Sequence, residues 1–108
     1  MSYGYPAERF AAARQALVPP HTEGEHVSVV RAFHECRNGL HRMNRSTLHE
    51  DVRIWIYRLE CFMDTDGFAD AAGESAWTIK ARALSADERL KLAQLVDDLA
   101  QWFASHAT

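Results

Sequence analysis

The chain has 108 residues, 47% hydrophobic and 25% charged, with a net charge of −3 when its histidines are neutral. That balance predicts one domain over residues 1–108 with apolar side chains enough for a core, and it excludes charge-driven disorder. It also excludes a whole-molecule attraction to nucleic acid, and no apolar run approaches the ~20 residues of a membrane span.

The first predicted helix opens at Pro6, where a missing N–H costs nothing, and runs from Ala7 to Leu17 with Phe10, Ala13, Arg14 and Leu17 at helical spacing. Pro19-Pro20 ends it. The N-terminus, Met1–Pro6, lacks a basic stretch leading into an apolar run, so no secretory signal is expected and the expected location is the cytoplasm.

Thr22 and Glu25 form a capping-box pattern that predicts the start of the second helix. Val29, Val30, Phe33, Cys36 and Leu40 then mark one face. Asn38-Gly39 is a competing stop signal near its end. A second capping-box pattern, Thr47 with Glu50, predicts the third helix. Its main stripe is Leu48, Val52, Trp55, Leu59, Phe62 and Met63, and Ile54, Ile56, Tyr57 and Cys61 widen that stripe almost all round. A helix of that kind is either central or carries a contact surface. Residues 52–59 are also rich in β-branched and aromatic side chains that favour strands, but the cap and the 48/52/55/59/62 spacing favour helix.

Residues 64–75 are the one long connection. Beyond it, 77–80 reads as a short extended piece or an extra helical turn within 76–83. The last helix is the plainest. Ser85 with Glu88 is a capping box, and Leu92, Leu95, Val96, Leu99, Trp102 and Phe103 make one continuous stripe between Ala86 and about Ser105. The fold class is therefore all-α: an antiparallel bundle of about four helices, with the last packed on the second and third.

Chemistry-bearing motifs are scarce. His34-Glu35 and His49-Glu50 each begin like the zinc-protease helix motif, but Asn38 and Arg53 stand where its second histidine must be. Asp64-x-Asp66-Gly67 has the look of a calcium loop, yet Phe62 and Gly73 would fall at its first and twelfth positions, which need carboxylates. Phosphate loops, nucleophile elbows and dinucleotide fingerprints do not occur. The cysteines, Cys36 and Cys61, are too few for a disulfide framework. Both fall in apolar helical patterns, so they are expected to be buried, reduced and passive in a reducing compartment. No catalytic residue, metal ligand or cofactor is assigned.

Charge is unevenly spread. Residues 31–63 carry six arginines against four acids, whereas 64–74 hold Asp64, Asp66, Asp70 and Glu74 with no basic residue. Phe68 lies inside that acidic stretch and Trp77 just after it. The six residues Asp64, Asp66, Phe68, Asp70, Glu74 and Trp77 are the expected partner-binding site: acids steer a basic protein surface and an aromatic anchor supplies affinity. The exposed edge of the third helix around Trp55 and Tyr57 is the next candidate. The expected function is non-enzymatic binding of another protein. In class, size and charge the chain resembles bacterial immunity proteins and antitoxins, which neutralise a nuclease or other toxin by covering its active site. The rivals are a small helical enzyme or metal-binding protein using the histidines, and a homodimer joined through its third helix.

Overall fold

The computed structural model describes residues 3–66 and 75–107. Its α-helices are α1 (Gly4–Ala16), α2 (Glu25–Leu40), α3 (Glu50–Met63), α4 (Ala76–Ala83) and α5 (Ala86–Ser105), with a 3₁₀ turn at Arg45–Thr47. No strand occurs among the described residues. The all-α class holds; residues 52–59 are helix, and the short piece near 76–83 is a helix of its own.

The caps show which local signals were sufficient. At α5 the Ser85 Oγ accepts from the Glu88 N–H at 3.1 Å, and the Glu88 carboxylate accepts from the Ser85 N–H at 2.9 Å. The bonds that the carboxylate receives from the Ser85 backbone and side chain, with smaller help from Lys80 and Lys91, hold the Glu88 carboxyl below its ordinary value. Ser75 caps α4 in the same manner, accepting from the Thr78 N–H.

Two predicted capping boxes do not form. Before α2, Gly24 takes φ 107°, a conformation that side-chain-bearing residues rarely adopt, and the helix starts after it with no side-chain cap. Glu25 instead meets Arg89 of α5 at 2.6 Å. Before α3, Asn44 caps the 3₁₀ turn, Thr47 donates to the Asn44 carbonyl, and His49 becomes the cap of α3 by accepting from the Asp51 N–H. The stop signal at Asn38-Gly39 is also overridden. The α2 helix continues to Leu40, and the chain turns at Arg42, with φ 59°.

Gly39 has another use. A Cβ there would lie 3.1 Å from both the Arg9 Cβ and the Phe10 Cε2. Its absence lets α1 close on α2. Phe10 is then fully buried and stacks on Phe103 of α5, with ring centroids 5.3 Å apart. Helix α1 thus packs against both α2 and α5, while α4 packs chiefly on α2 and α3 chiefly on α5. This corrects the expected packing of the last helix, which lies on α1 and α3 rather than on α2 and α3. Short side chains on α1, including the fully buried Ala13, allow so close an approach.

The shared core holds Phe33, Cys36, Val52, Ile56, Leu59, Leu92, Val96, Leu99 and Phe103, all essentially inaccessible to solvent. Burial, with Glu35 adding to it, pushes the Cys36 thiol up to about 12. Around the core, Arg9 grips Glu35 through two contacts of 3.0 and 3.2 Å, tying α1 to α2. Among the described residues, no helix is long and apolar enough to cross a membrane.

Replacing Leu99 with Ala will cost ~2–5 kcal/mol in denaturant unfolding, the usual range for emptying a fully buried leucine site. Gly39→Ala will also destabilise, although alanine favours a helix interior over glycine by ~1 kcal/mol, because the new methyl must displace Phe10 or the α1 backbone. A gain in stability for Gly39→Ala would mean that α1 can shift without loss. The sign for Glu88 follows from its lowered value: the α5 cap contributes stability above the ordinary carboxylate range and loses it as pH falls through that lowered value. Glu88→Gln will remove that part of the acid dependence of unfolding.

Candidate functional site

Helix α3 presents three differently built strips of surface. One faces the core with Val52, Ile56 and Leu59. Opposite them, Ile54, Tyr57 and Cys61 recur at spacings of three and four and are exposed, Tyr57 by 68% and Ile54 by 42%. This line continues to Asp64, the residue that ends the helix. Apolar and aromatic side chains therefore reach solvent in one row, ending in a carboxylate. Tyr57, Glu60, Cys61, Met63 and Asp64 line an open depression of about 470 Å³ along it.

The turn that follows is shaped by its own acids. The Asp64 carboxylate accepts from the Asp66 N–H at 3.0 Å, and both residues are exposed. This is a local side-chain turn of the type that aspartate favours, and it holds both acids at exposed positions. Phe68, Asp70 and Glu74 lie outside the described residues.

Trp77 is placed otherwise than an open anchor would be. It is half-buried at the start of α4, and its indole N–H donates to the Met63 carbonyl at 2.9 Å. Its ring meets Phe33 and the edge of His34, at centroid distances of 5.7 and 4.9 Å. The Arg37 guanidinium lies 5.0 Å from the ring centroid. Trp77 thus ties α4 to α2 and to the end of α3. Of the six expected site residues, the structure brings Asp64 and Asp66 together on one turn and puts Trp77 into the packing beneath it.

The third strip of α3, with Trp55, Arg58 and Phe62, faces a groove shared with α4 and α5. Lys80, Leu84, Lys91 and Leu95 are among its other walls. Cys61 touches both the groove and the outer row and is exposed, which corrects the expectation that both thiols are buried. Position 61 lies off the 52/56/59 core line, so its apolar neighbours in sequence are not its neighbours in space.

The histidines are dispersed. His21 bonds the Ser28 hydroxyl, His34 accepts from Arg37, His49 caps α3, and His106 stacks on Trp102 at 4.0 Å. Among the described residues, no three His, Cys, Asp or Glu side chains are grouped so as to hold a metal ion. Comparison of the chain with protein-family models, with curated proteins and with solved structures finds no match.

Tyr57 and Ile54 are what sequence reasoning underweighted. Their signal was present: both fall outside the 48/52/55/59 line yet are large and apolar. The two thiols offer a direct check on the burial pattern. Iodoacetamide will modify Cys61 in the folded protein, whereas Cys36 will react only on unfolding, as mass spectrometry of the labelled peptides will show.

Proposed function

We propose that this chain is a non-enzymatic binding protein whose contact surface is the outer row of α3 together with the acidic turn at its end. The observation that carries this reading is the exposed line Ile54, Tyr57, Cys61 and Asp64, running into Asp66. Tyrosine is among the residues that most often dominate binding energy, because it has a large rigid apolar body and a polar tip. In this arrangement Tyr57 takes the anchoring role first expected of Phe68 and Trp77. Asp64 and Asp66 supply the negative rim that steers a basic protein partner.

Neutralising a toxin, a nuclease among the candidates, by covering its surface is the finer form of the proposal. It is supported by the net charge of −3 and the class resemblance already described. A second copy of the chain is the other occupant such an apolar row admits.

The test is capture of partners on immobilised protein, wild type beside Tyr57→Ala and Asp64→Asn/Asp66→Asn, with circular dichroism confirming that each variant is folded. A partner should be held by wild type and lost by Tyr57→Ala. Against that partner, Tyr57→Ala should speed dissociation on the order of ten-fold or more, and the double Asn variant should slow association most at low salt. If Tyr57→Ala instead halves the mass in light scattering, the row is a homodimer face. If no variant changes partner retention or mass, the contact lies elsewhere and the proposal fails.

A further inference from the structure

The turn that leads out of α2 carries a basic cluster of its own. Arg37 stands in the last turn of α2, His41 and Arg42 follow the helix, and Arg45 opens the 3₁₀ turn. Together with Glu60 and Met63 of α3 they line a pocket of about 300 Å³. That size is at the lower end of small-molecule sites, ~300–1,000 Å³.

Glu60 is the acid in that lining, and Arg45 takes both of its oxygens, at 2.7 and 2.9 Å. Those two charges cancel. Arg37 donates to His34 and lies over the Trp77 ring, contacts that hold its guanidinium in place without neutralising it. Arg42 is exposed, and none of the ion pairs among the described residues takes it up. Asp64, the next acid along the chain, lines the neighbouring depression beside Tyr57 rather than this pocket. The negative ends of α2 and α3 offset ~0.5 charge each. Against the two charges of Arg37 and Arg42, that leaves the pocket positive.

The backbone at Arg42 adds an independent sign. Its φ of 59° lies in the left-handed region, where glycine is the easy residue and a side chain brings strain. Strain of that kind concentrates at ligand sites, where the side chain's use offsets its cost to the fold.

We propose that this pocket binds a small phosphomonoester, its dianionic phosphoryl group held by Arg37, Arg42 and the N–H groups that Arg45 keeps beyond its bonds to Glu60. Guanidinium forks match phosphate oxygens in geometry and give charge-assisted hydrogen bonds. A monoester offers three terminal oxygens to three arginines, whereas a carboxylate or a phosphodiester offers two and carries half the charge. The site goes beyond the partner-binding row, since neither Tyr57 nor Ile54 is part of its lining.

The experiment is NMR titration of the whole chain with phenyl phosphate, above the second phosphate pKa of ~6. Benzoate and methyl phenyl phosphate, which carry the same ring and a single charge, are titrated in parallel. The expected result is saturable binding of one phenyl phosphate, with shifts centred on the Nε–H signals of Arg37 and Arg42 and the amides of residues 41–45. The two monoanions should bind weaker by on the order of ten-fold. Arg42→Gly and Arg37→Gln should each weaken phenyl phosphate binding on the order of ten-fold. Arg42→Gly should keep or raise the thermal midpoint, because it removes the left-handed strain. Arg53→Gln removes the same charge from an exposed arginine outside the lining and should leave binding unchanged. Absence of saturable binding, equal binding of the three anions, or an Arg53→Gln loss as large as that of Arg42→Gly would each overturn the proposal. So would a lowered midpoint for Arg42→Gly, which would show that the side chain serves the fold instead. Tyr57→Ala should leave phenyl phosphate binding unchanged, so failure of the partner-binding reading would be seen separately.

Discussion

Everything in this fold is arranged around the close approach of α1 to α2 at Gly39. Without a side chain there, Arg9 and Phe10 move into contact range, and Phe10 reaches Phe103 on the far side. One aromatic ring thereby joins three helices. Fully burying such a side chain contributes ~1.5–3 kcal/mol, and the stack ties α5 to α1 as well. Tyr3 and Trp102 extend this contact outward, each with its ring centroid within 5.6 Å of that of Phe103.

Placing α1 between α2 and α5 has a consequence for the rest of the molecule. The space that a simple four-helix arrangement would give to α3 is already occupied. Helix α3 is left with α5 as its main support, and α4 with α2. Both sit on the flanks and keep surface that a central helix would have buried. The outer row of α3 and the groove it shares with α4 and α5 follow from that placement. Trp77 offsets part of the loosening, since its hydrogen bond to the Met63 carbonyl and its contacts with Phe33 and Arg37 hold the end of α3, α4 and α2 together.

The electrostatics divide along the same lines. Several arginines of the basic stretch are engaged in structural pairs: Arg31 with Glu23 and Arg45 with Glu60 by ion pairs, Arg37 with His34 by a hydrogen bond and with Trp77 by its face. The two exposed ion pairs stabilise only modestly, ~0–1 kcal/mol each, but they neutralise charge locally, whereas the contacts of Arg37 leave its charge in place. Arg58 and Lys91 belong instead to the groove wall, and Asp64 and Asp66 to the turn at the end of α3.

The amino-acid sequence determined the helices themselves, because period and capping are local. Ser85 and Glu88 meet across a single turn whatever surrounds them, and the Leu92, Val96, Leu99 and Phe103 stripe follows from the pitch of one helix. It also determined that helix would prevail over strand at 52–59. Where a local signal competed with another, as Thr22 did with Gly24 or Thr47 with Asn44, backbone conformation and nearer partners decided the start of the helix. Tertiary structure alone decided which helix is central. Helix α1 displays little more than Phe10 and Ala13 to the core, and short side chains look weak in a periodicity until a glycine on the partner lets them close. It also decided that Cys61 and Tyr57 face solvent and that Arg58, Lys80 and Lys91 share one groove. Those facts depend on the position of α3 relative to α4 and α5, and contacts between residues so far apart in the chain leave no periodic trace in it.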